Sequence, residues 1–344
     1  MKRLVVCCDG TWNRADQALP TSVARLAAAV RPTDGRGVAQ RVFYDPGVGT
    51  GRWDRLLGGL VGWGLSRNVQ EAYHFLVREF EPGDELWLFG FSRGAYTARS
   101  VVGFVRNAGL LRREWEGRLA EAYALYRDRT AATHPRGAEA ARFRRSFAHE
   151  TRVWFVGVWD TVGALGIPLD VPGVHLVNDR WKFHDVKLST WVDHAFQALA
   201  IDERRRPFAP TLWEQQPDAR GQTLRQVWFA GTHRDVGGGA PASGLGDLAL
   251  RWMLTRAHAC GLALDWPLLK PDVHGPLHES MTWYYRPLGE LVRPIGAPRV
   301  DAEGRPVTTG EAAATSALAR LADSAYRPPN LLAFRARGGP VVPV

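Results

Sequence analysis

The sequence contains few cysteines and no long apolar run, and each shortage excludes a class of protein. Three cysteines occur in 344 residues, too few for a disulfide framework. Cys7 and Cys8 are neighbours in an apolar run, where we expect them to pack as small core residues. This usage fits a reducing compartment or a protein that does not rely on disulfides. No run of about 18 apolar residues occurs, so we expect no membrane-spanning helix.

The first residues are basic and then apolar, which is also the order that begins a secretion signal. The apolar part is too short for a signal, and the polar stretch from Asp9 to Asn13 follows at once, so we interpret it as a first core strand. We therefore expect a cytoplasmic protein, with secretion by a system that uses no signal peptide as the alternative.

The spacings that hold metals and nucleotides are also missing. The sequence has no Cys-x-x-Cys and no His-Glu-x-x-His, so we expect no metal site and no cofactor. The glycine-rich stretch 44–51 lacks the spacing of a phosphate-binding or dinucleotide fingerprint, and we interpret it as a close-packed site loop. Asp9, at the end of the first apolar run, either holds a loop by hydrogen bonds or helps to bind a cation.

Positive charge exceeds negative charge, with 44 lysine and arginine residues against 35 aspartate and glutamate residues and a net charge of +9. The positive residues are dispersed, apart from a dense run at Arg204–Arg206, and no nucleic-acid-binding motif is present, so we expect no nucleic-acid partner. An anionic membrane surface is the better candidate for peripheral contact. The sequence does not reveal an oligomeric state.

Short apolar runs alternate with helix-like segments along the chain. The apolar runs are Leu4–Cys8, Val42–Tyr44, Glu85–Phe89, Val153–Val158 and Gln226–Ala230. The helix-like segments are Ser22–Val30, Val69–Phe80, Gly94–Ala108, Asp193–Leu199 and Asp247–Cys260. Because the runs are nearly continuously apolar, they are typical of strands covered on both faces. The sequence therefore predicts an α/β fold, with a mostly parallel central sheet and helices on both faces.

No linker divides the sequence, so we predict one domain over residues 1–344. Residues 112–150 are rich in arginine, glutamate and alanine, and we expect an inserted helical segment that caps the carboxyl edge of the sheet. Residues 286–344 are rich in proline, glycine and arginine, which predicts irregular structure with one helix near Thr309–Ala325.

The most informative pattern is Gly-x-Ser-x-Gly at residues 90–94, where a strand-like run ends and a helix-like segment begins. This is the arrangement of a nucleophile elbow, a tight turn that exposes a serine hydroxyl. Glycines are needed because backbone crowds the turn, and the helix N-terminus favours developing negative charge. We predict Ser92 as a catalytic nucleophile, with an ordinary turn and a serine N-cap as the alternative.

A serine nucleophile needs a base, and the base needs an orienting acid. In α/β-hydrolases the acid and then the histidine follow the serine, on loops at the carboxyl ends of later strands. Asp160 and His233 each follow an apolar run, so we predict Asp160 as the acid and His233 as the base. A turn or helix cap is the structural alternative for Asp160. Asp235 with His278 obeys the same order and stays a rival pair.

An oxyanion hole needs two backbone N–H donors fixed in place. One donor is expected from Arg93, the residue after the nucleophile. The other is expected from a loop at an earlier strand end, and Gly10 and Thr11 are the candidates there.

Four segments in this order resemble the type VI secretion lipase effectors, whose catalytic domain is a phospholipase-like α/β-hydrolase. The segments are CDGTWN at 8–13, GFSRGA at 90–95, GVWDTVG at 157–163 and GTHRDVGG at 231–238. The resemblance extends from about residue 3 to about residue 286. Four motifs in the same order are far more specific than any one of them.

The resemblance implies hydrolysis of phospholipid esters, with Ser92 as nucleophile, Asp160 as acid and His233 as base, and no cofactor. It favours this trio over the rival pair Asp235 and His278. Two alternatives remain for the function. One is a membrane- or partner-binding module that keeps a hydrolase scaffold without catalysis, and the other is a hydrolase of soluble esters, thioesters or polyesters.

Overall fold

The computed structural model describes residues 1–10, 19–47, 58–128, 130–163, 186–283, 285–301, 303–323 and 325–344. The strands are β1 (Arg3–Cys8), β2 (Gln40–Asp45), β3 (Glu85–Phe91), β4 (Leu110–Leu111), β5 (Ala148–His149), β6 (Val153–Trp159), β7 (Val192–Ala200), β8 (Thr223–Phe229), β9 (Glu311–Ala314) and β10 (Val341–Val342). The α-helices are α1 (Ser22–Ala29), α2 (Gly58–Glu79), α3 (Arg93–Ala108), α4 (Leu119–Arg127), α5 (Ala138–Phe147), α6 (His233–Gly237), α7 (Gly244–Ala259), α8 (Thr315–Arg320) and α9 (Pro329–Ala336).

Eight strands form one sheet in the order β10-β9-β8-β7-β6-β3-β1-β2, and every neighbouring pair is parallel. The strand order reverses at β1, because β2 lies on one side of it and β3 on the other. Open α/β sheets bind their ligands outside the carboxyl ends of the strands at such a switch point. The predicted α/β-hydrolase-like fold with a mostly parallel sheet is confirmed.

Both faces of the sheet are buried, which explains why its strands are continuously apolar. Val5 and Cys7 of β1 belong to a core that includes α1, α7, α8 and α9. Leu4, Val6 and Cys8 point to the opposite face and belong to a second core, with α2 and α3. The helices predicted on both faces are therefore present. No helix among the described residues is both long enough and apolar enough to cross a membrane.

The prediction of a helix over Asp193–Leu199 is wrong, because this segment belongs to the central strand β7. Its alanines and leucine have helical spacing, but β6 and β8 pair with it on both sides. Ala195, Ala198 and Leu199 are fully buried between the two layers of helices. Tertiary pairing thus overrides the local preference of an alanine-rich segment.

The region 286–344 is more regular than expected. The helix predicted over Thr309–Ala325 is limited to α8, because Glu311–Ala314 pairs with β8 as strand β9. The segment also contributes α9 and the edge strand β10. It therefore extends the sheet by two strands. The helix predicted at Val69–Phe80 exists as α2, but it begins already at Gly58.

The predicted helical insertion contains a 3-10 turn at Arg113–Arg118 and the helices α4 and α5. It packs against α2 and α3 and is closed by the antiparallel pair β4 and β5. It leaves the sheet after α3 and rejoins it before β6, so both its ends lie at the amino edge. In the described residues the insertion is therefore not the expected cap over the carboxyl edge.

Candidate active site

Ser92 lies on a strained turn between β3 and α3. Its backbone has φ 57° and ψ −120°, and Asp160 with φ 40° is the other non-glycine residue with positive φ in the described chain. Such conformations cost about 1–3 kcal/mol and cluster at functional sites. Ser92 N–H donates to the Trp159 carbonyl at 3.1 Å, which attaches the turn to the end of β6. The backbone strain therefore occurs at the two residues that the sequence predicts as nucleophile and acid.

The two glycines of the Gly-x-Ser-x-Gly motif leave room for this turn. A Cβ added at Gly90 would lie 2.4 Å from the Gly94 carbonyl oxygen. A Cβ added at Gly94 would lie 2.1 Å from the carbonyl oxygen of Cys8, in β1. Contacts this short do not occur for real side chains, so the elbow closes onto β1 only because both positions lack a Cβ.

His233 is the first residue of the short helix α6, which follows β8 after residues 230–232. Its Nε2 lies 2.9 Å from Ser92 Oγ. Its ring packs between Phe91 and Phe208, with centroid distances of 4.7 and 5.1 Å. His233 is buried, whereas Ser92 is partly exposed. Two aromatic rings thus fix the orientation of a nitrogen that faces the serine hydroxyl.

Asp160 completes a hydrogen-bonded chain with these two residues. It follows β6, is fully buried, and its Oδ2 lies 2.5 Å from His233 Nδ1. The Ala200 N–H donates to Asp160 Oδ1 at 3.1 Å. A hydrogen bond from Nδ1–H to this carboxylate leaves Nε2 as the acceptor for the Ser92 proton. The structure thus brings together Ser92, His233 and Asp160 from three strand ends.

Arg293 also contacts Asp160, and sequence reasoning missed it. It is fully buried and donates to the two Asp160 oxygens at 2.7 and 3.0 Å. It donates as well to the carbonyls of Ala200 and Phe208, at 2.8 and 2.5 Å. Burial opposes ionisation of Asp160, but the charge of Arg293 and the hydrogen bond with His233 outweigh it and hold the Asp160 pKa below its ordinary value. The only local signal for Arg293 is an arginine among apolar residues, in a region predicted to be irregular.

The rival pair, Asp235 and His278, is also formed, with 2.5 Å between His278 Nδ1 and Asp235 Oδ1. Asp235 Oδ2 accepts from both the N–H and the hydroxyl of Thr232, each at 2.9 Å, so this carboxylate caps α6. Among the described residues, no hydrogen bond joins Asp235 or His278 to Ser92. The pair holds the helix that carries His233 and does not contact the serine.

The three expected oxyanion donors differ in their placement. Arg93 is the first residue of α3, where a backbone N–H has no partner within the helix. Gly10 N–H donates to the Asp9 side chain at 2.7 Å and is therefore occupied in this structure. Thr11 lies outside the described residues.

Asp9 is buried and acts as a loop anchor in the structure. Its Oδ2 accepts from the hydroxyls of Thr21 and Tyr44 at 2.5 and 2.7 Å, and its Oδ1 accepts from Gly10 N–H. These bonds agree with the first of the two roles expected for Asp9. In the part of the chain that the structure describes, no group of three or more acidic, histidine or cysteine side chains is placed to hold a metal ion.

The sequence model of one protein family, described as the catalytic domain of Tle1-like phospholipase effectors of the type VI secretion system, matches residues 2–256. The chain belongs to this family. The match includes Ser92, Asp160 and His233 and ends before His278 and Arg293. The predicted resemblance is thus confirmed.

Three further proteins are similar to the chain. An uncharacterised protein of Saccharomyces cerevisiae is 27% identical over 238 residues, which cover 63% of the chain and 33% of the yeast protein. The match to the crystal structure of an uncharacterised Pseudomonas aeruginosa protein covers 79% of the chain and 48% of the Pseudomonas chain, with 18% identity and a TM-score of 0.47. The match to a structure of the Tle1 effector bound to the VgrG spike covers 70% of the chain and 51% of the matched chain in that structure, with 18% identity and a TM-score of 0.35. The chain spans between a third and about half of the length of these relatives.

Proposed function

We propose that the protein is a serine hydrolase that cleaves carboxylic ester bonds of lipids. The observation that carries the proposal is the chain of hydrogen bonds from Ser92 Oγ through both ring nitrogens of His233 to Asp160. Membership of the phospholipase effector family supports a lipid ester as the substrate class. No step of the proposed reaction needs a cofactor.

In the proposed reaction, Ser92 Oγ attacks the acyl carbon while His233 Nε2 takes the hydroxyl proton. Asp160 holds the Nδ1–H tautomer and stabilises the imidazolium that forms. The imidazolium then gives its proton to the departing alcohol oxygen, which leaves an acyl ester on Ser92. A water molecule, deprotonated by His233, attacks this ester and releases the carboxylic acid and the free serine.

The negative charge that develops on the acyl oxygen needs donors fixed in advance. We assign the N–H of Arg93 as one donor, because it lies at the N-terminus of α3 next to the nucleophile. The N–H of Gly10 serves as the second donor only once it is released from Asp9, and Thr11 is the other candidate. With Gly10 as the second donor, the proposal includes breaking of its hydrogen bond with Asp9.

We further propose that the enzyme meets its substrate at an anionic membrane surface. The net charge of +9 supports this partner. Trp283 supports it as well, because its side chain is 81% exposed and it lies two residues before Tyr285, whose ring contacts the Phe208 ring beside His233. Exposed tryptophan side chains favour the interface between water and lipid.

The experiment is a comparison of Ser92→Ala with Ser146→Ala, a change at an exposed serine of α5. Turnover of p-nitrophenyl butyrate and of phospholipid vesicles is measured, together with labelling by a fluorophosphonate probe. We expect Ser92→Ala to lose turnover by more than about 10³-fold and to lose labelling, with an unchanged Tm, while Ser146→Ala resembles the wild type.

Each other outcome points to a different function. Near-wild-type turnover by Ser92→Ala would refute the assignment of the nucleophile. A wild-type protein that binds vesicles without turnover or labelling is a binding module on a hydrolase scaffold. Hydrolysis of short soluble esters without attack on phospholipids indicates a soluble-ester hydrolase.

A further inference from the structure

Three arginines lie around the proposed nucleophile and its partners, and two of them have carboxylate partners of their own. Arg293 donates to both oxygens of Asp160 at 2.7 and 3.0 Å. Arg205 donates to both oxygens of Glu203 at 2.9 and 2.8 Å. Bidentate pairs of this kind satisfy a guanidinium in both charge and geometry. Both positive charges are therefore neutralised within the protein.

Arg93 is the third of these arginines, and it differs from the other two. No described residue accepts a hydrogen bond from its guanidinium or forms an ion pair with it. Burial lowers the pKa of Arg93 to about 10, an effect that the nearby Tyr285 phenol opposes. The side chain therefore stays positively charged at neutral pH, in a partly desolvated place where an unpaired charge is costly.

Arg93 is also accessible from the place where the substrate must arrive. It follows Ser92 directly, and both side chains are partly exposed, whereas the next residues of α3 are buried. Tyr285, its electrostatic neighbour, lies in ring contact with Phe208, which packs on His233. A molecule that reaches Ser92 therefore meets, beside it, a guanidinium whose charge no described residue balances.

We propose that Arg93 binds the phosphate group of a phosphodiester lipid while Ser92 attacks an acyl ester of the same molecule. The inference rests on the proposed hydrolase function and adds to it a binding site for the lipid phosphate. A guanidinium offers a planar fork of donors that matches phosphate oxygens. A phosphate would give Arg93 the anionic partner that Asp160 gives to Arg293.

The chemistry of a glycerophospholipid fits this placement. Its phosphate and its acyl esters are attached to the same glycerol, so a cation next to the nucleophile is within reach of the phosphate. The phosphate itself does not react. The acyl C–O bond breaks, the proton on His233 passes to the glycerol oxygen, and the phosphate leaves with the lysophospholipid.

The test compares Arg93→Gln and Arg93→Lys with Arg41→Gln. Arg41 is an exposed arginine of β2, paired in register with Leu4 and distant from the carboxyl edge. The measured quantity is the ratio of kcat/KM for phosphatidylglycerol to kcat/KM for diacylglycerol with the same acyl chains, both in mixed detergent micelles. Because a ratio is compared, a general loss of activity or of folded protein does not affect the result.

We expect this ratio to fall by about 10- to 100-fold in Arg93→Gln, the size of one charge-assisted contact. It should fall less in Arg93→Lys, which keeps the charge and loses the fork, and stay unchanged in Arg41→Gln. A ratio that stays at the wild-type value in Arg93→Gln overturns the proposal. A structural role of Arg93 predicts a lower Tm in Arg93→Gln, whereas a ligand-binding role predicts a Tm that is equal or higher.

A second measurement separates the lipid phosphate from free phosphate. Inorganic phosphate should inhibit p-nitrophenyl butyrate hydrolysis competitively in the wild type, with an inhibition constant raised about tenfold in Arg93→Gln. Arg93-dependent inhibition with an unchanged lipid ratio assigns the site to free phosphate and overturns the lipid proposal. Absence of any ester hydrolysis by the wild type instead refutes the proposed function, and calorimetric titration with phosphate then tests Arg93 alone.

Discussion

Ser92 and Asp160 share a backbone property that other residues of the site lack, because both have positive φ. A relaxed turn at either position would point the side chain elsewhere. The strain is sustained by backbone hydrogen bonds, from Ser92 N–H to the Trp159 carbonyl and from Asp160 N–H to the Ala198 carbonyl. The turns of two neighbouring strands therefore aim both side chains at His233, and we infer that these conformations serve chemistry.

We predict that Asp160→Asn lowers kcat by about 10³- to 10⁴-fold. The amide keeps the shape of the side chain, but it no longer holds His233 in the tautomer that accepts the Ser92 proton. Asp235→Asn should lower kcat far less, because Asp235 caps α6. The carboxylate at the His233 ring nitrogen Nδ1 is that of Asp160. Steady-state kinetics with p-nitrophenyl butyrate measures both variants. An active Asp160→Asn beside an inactive Asp235→Asn would instead make Asp235 the acid.

At the scale of whole elements, much of the site could be predicted because parallel strands deliver their carboxyl ends to one edge. β3, β6 and β8 each end in an apolar stretch, and the residues that follow them include Ser92, Asp160 and His233. The sequence could not predict Arg293, since its partner is distant in the chain and no local pattern records a long-range ion pair. The helix prediction over Asp193–Leu199 is wrong for a related reason, because the strand conformation of β7 depends on pairing with β6 and β8.

The Arg293 side chain helps to attach its segment to the sheet, because it donates to Asp160, the residue after β6, and to the Ala200 carbonyl of β7. We predict that Arg293→Gln lowers the free energy of unfolding by about 3–5 kcal/mol, because Asp160 loses the partner of its buried charge. Urea unfolding followed by tryptophan fluorescence measures the change.

Arg305→Gln is the matched control for that variant, since it removes an arginine from an exposed pair with Asp301. Solvent screens exposed pairs, so its effect should be far smaller. Equal losses in the two variants would show that the Arg293 pair adds nothing beyond an ordinary surface contact.

At the scale of the whole molecule, the carboxyl edge of the sheet carries buried aspartates in addition to the candidate active site. Burial raises the pKa of Asp45, at the end of β2, to about 6, and the charges of Glu71 and Asp9 add to the effect. Burial also raises the pKa of Asp202, after β7, to about 6. Between the ordinary aspartate pKa near 3.8 and about 6 the folded state therefore binds more protons than the unfolded state. The contribution of these two carboxyl groups to stability therefore falls as the pH rises through this window.

This sign gives a prediction for one variant, measured by urea unfolding. Asp45→Asn should stabilise the protein by about 1–3 kcal/mol at pH 8 and have little effect at pH 4, because the amide cannot ionise and keeps an oxygen to accept from Gly47 N–H. Asp265→Asn, a change at a largely exposed carboxylate, should show no such dependence on pH. If Asp45→Asn stabilises the protein equally at both pH values, the stabilisation comes from a change in packing and not from the ionisation of Asp45.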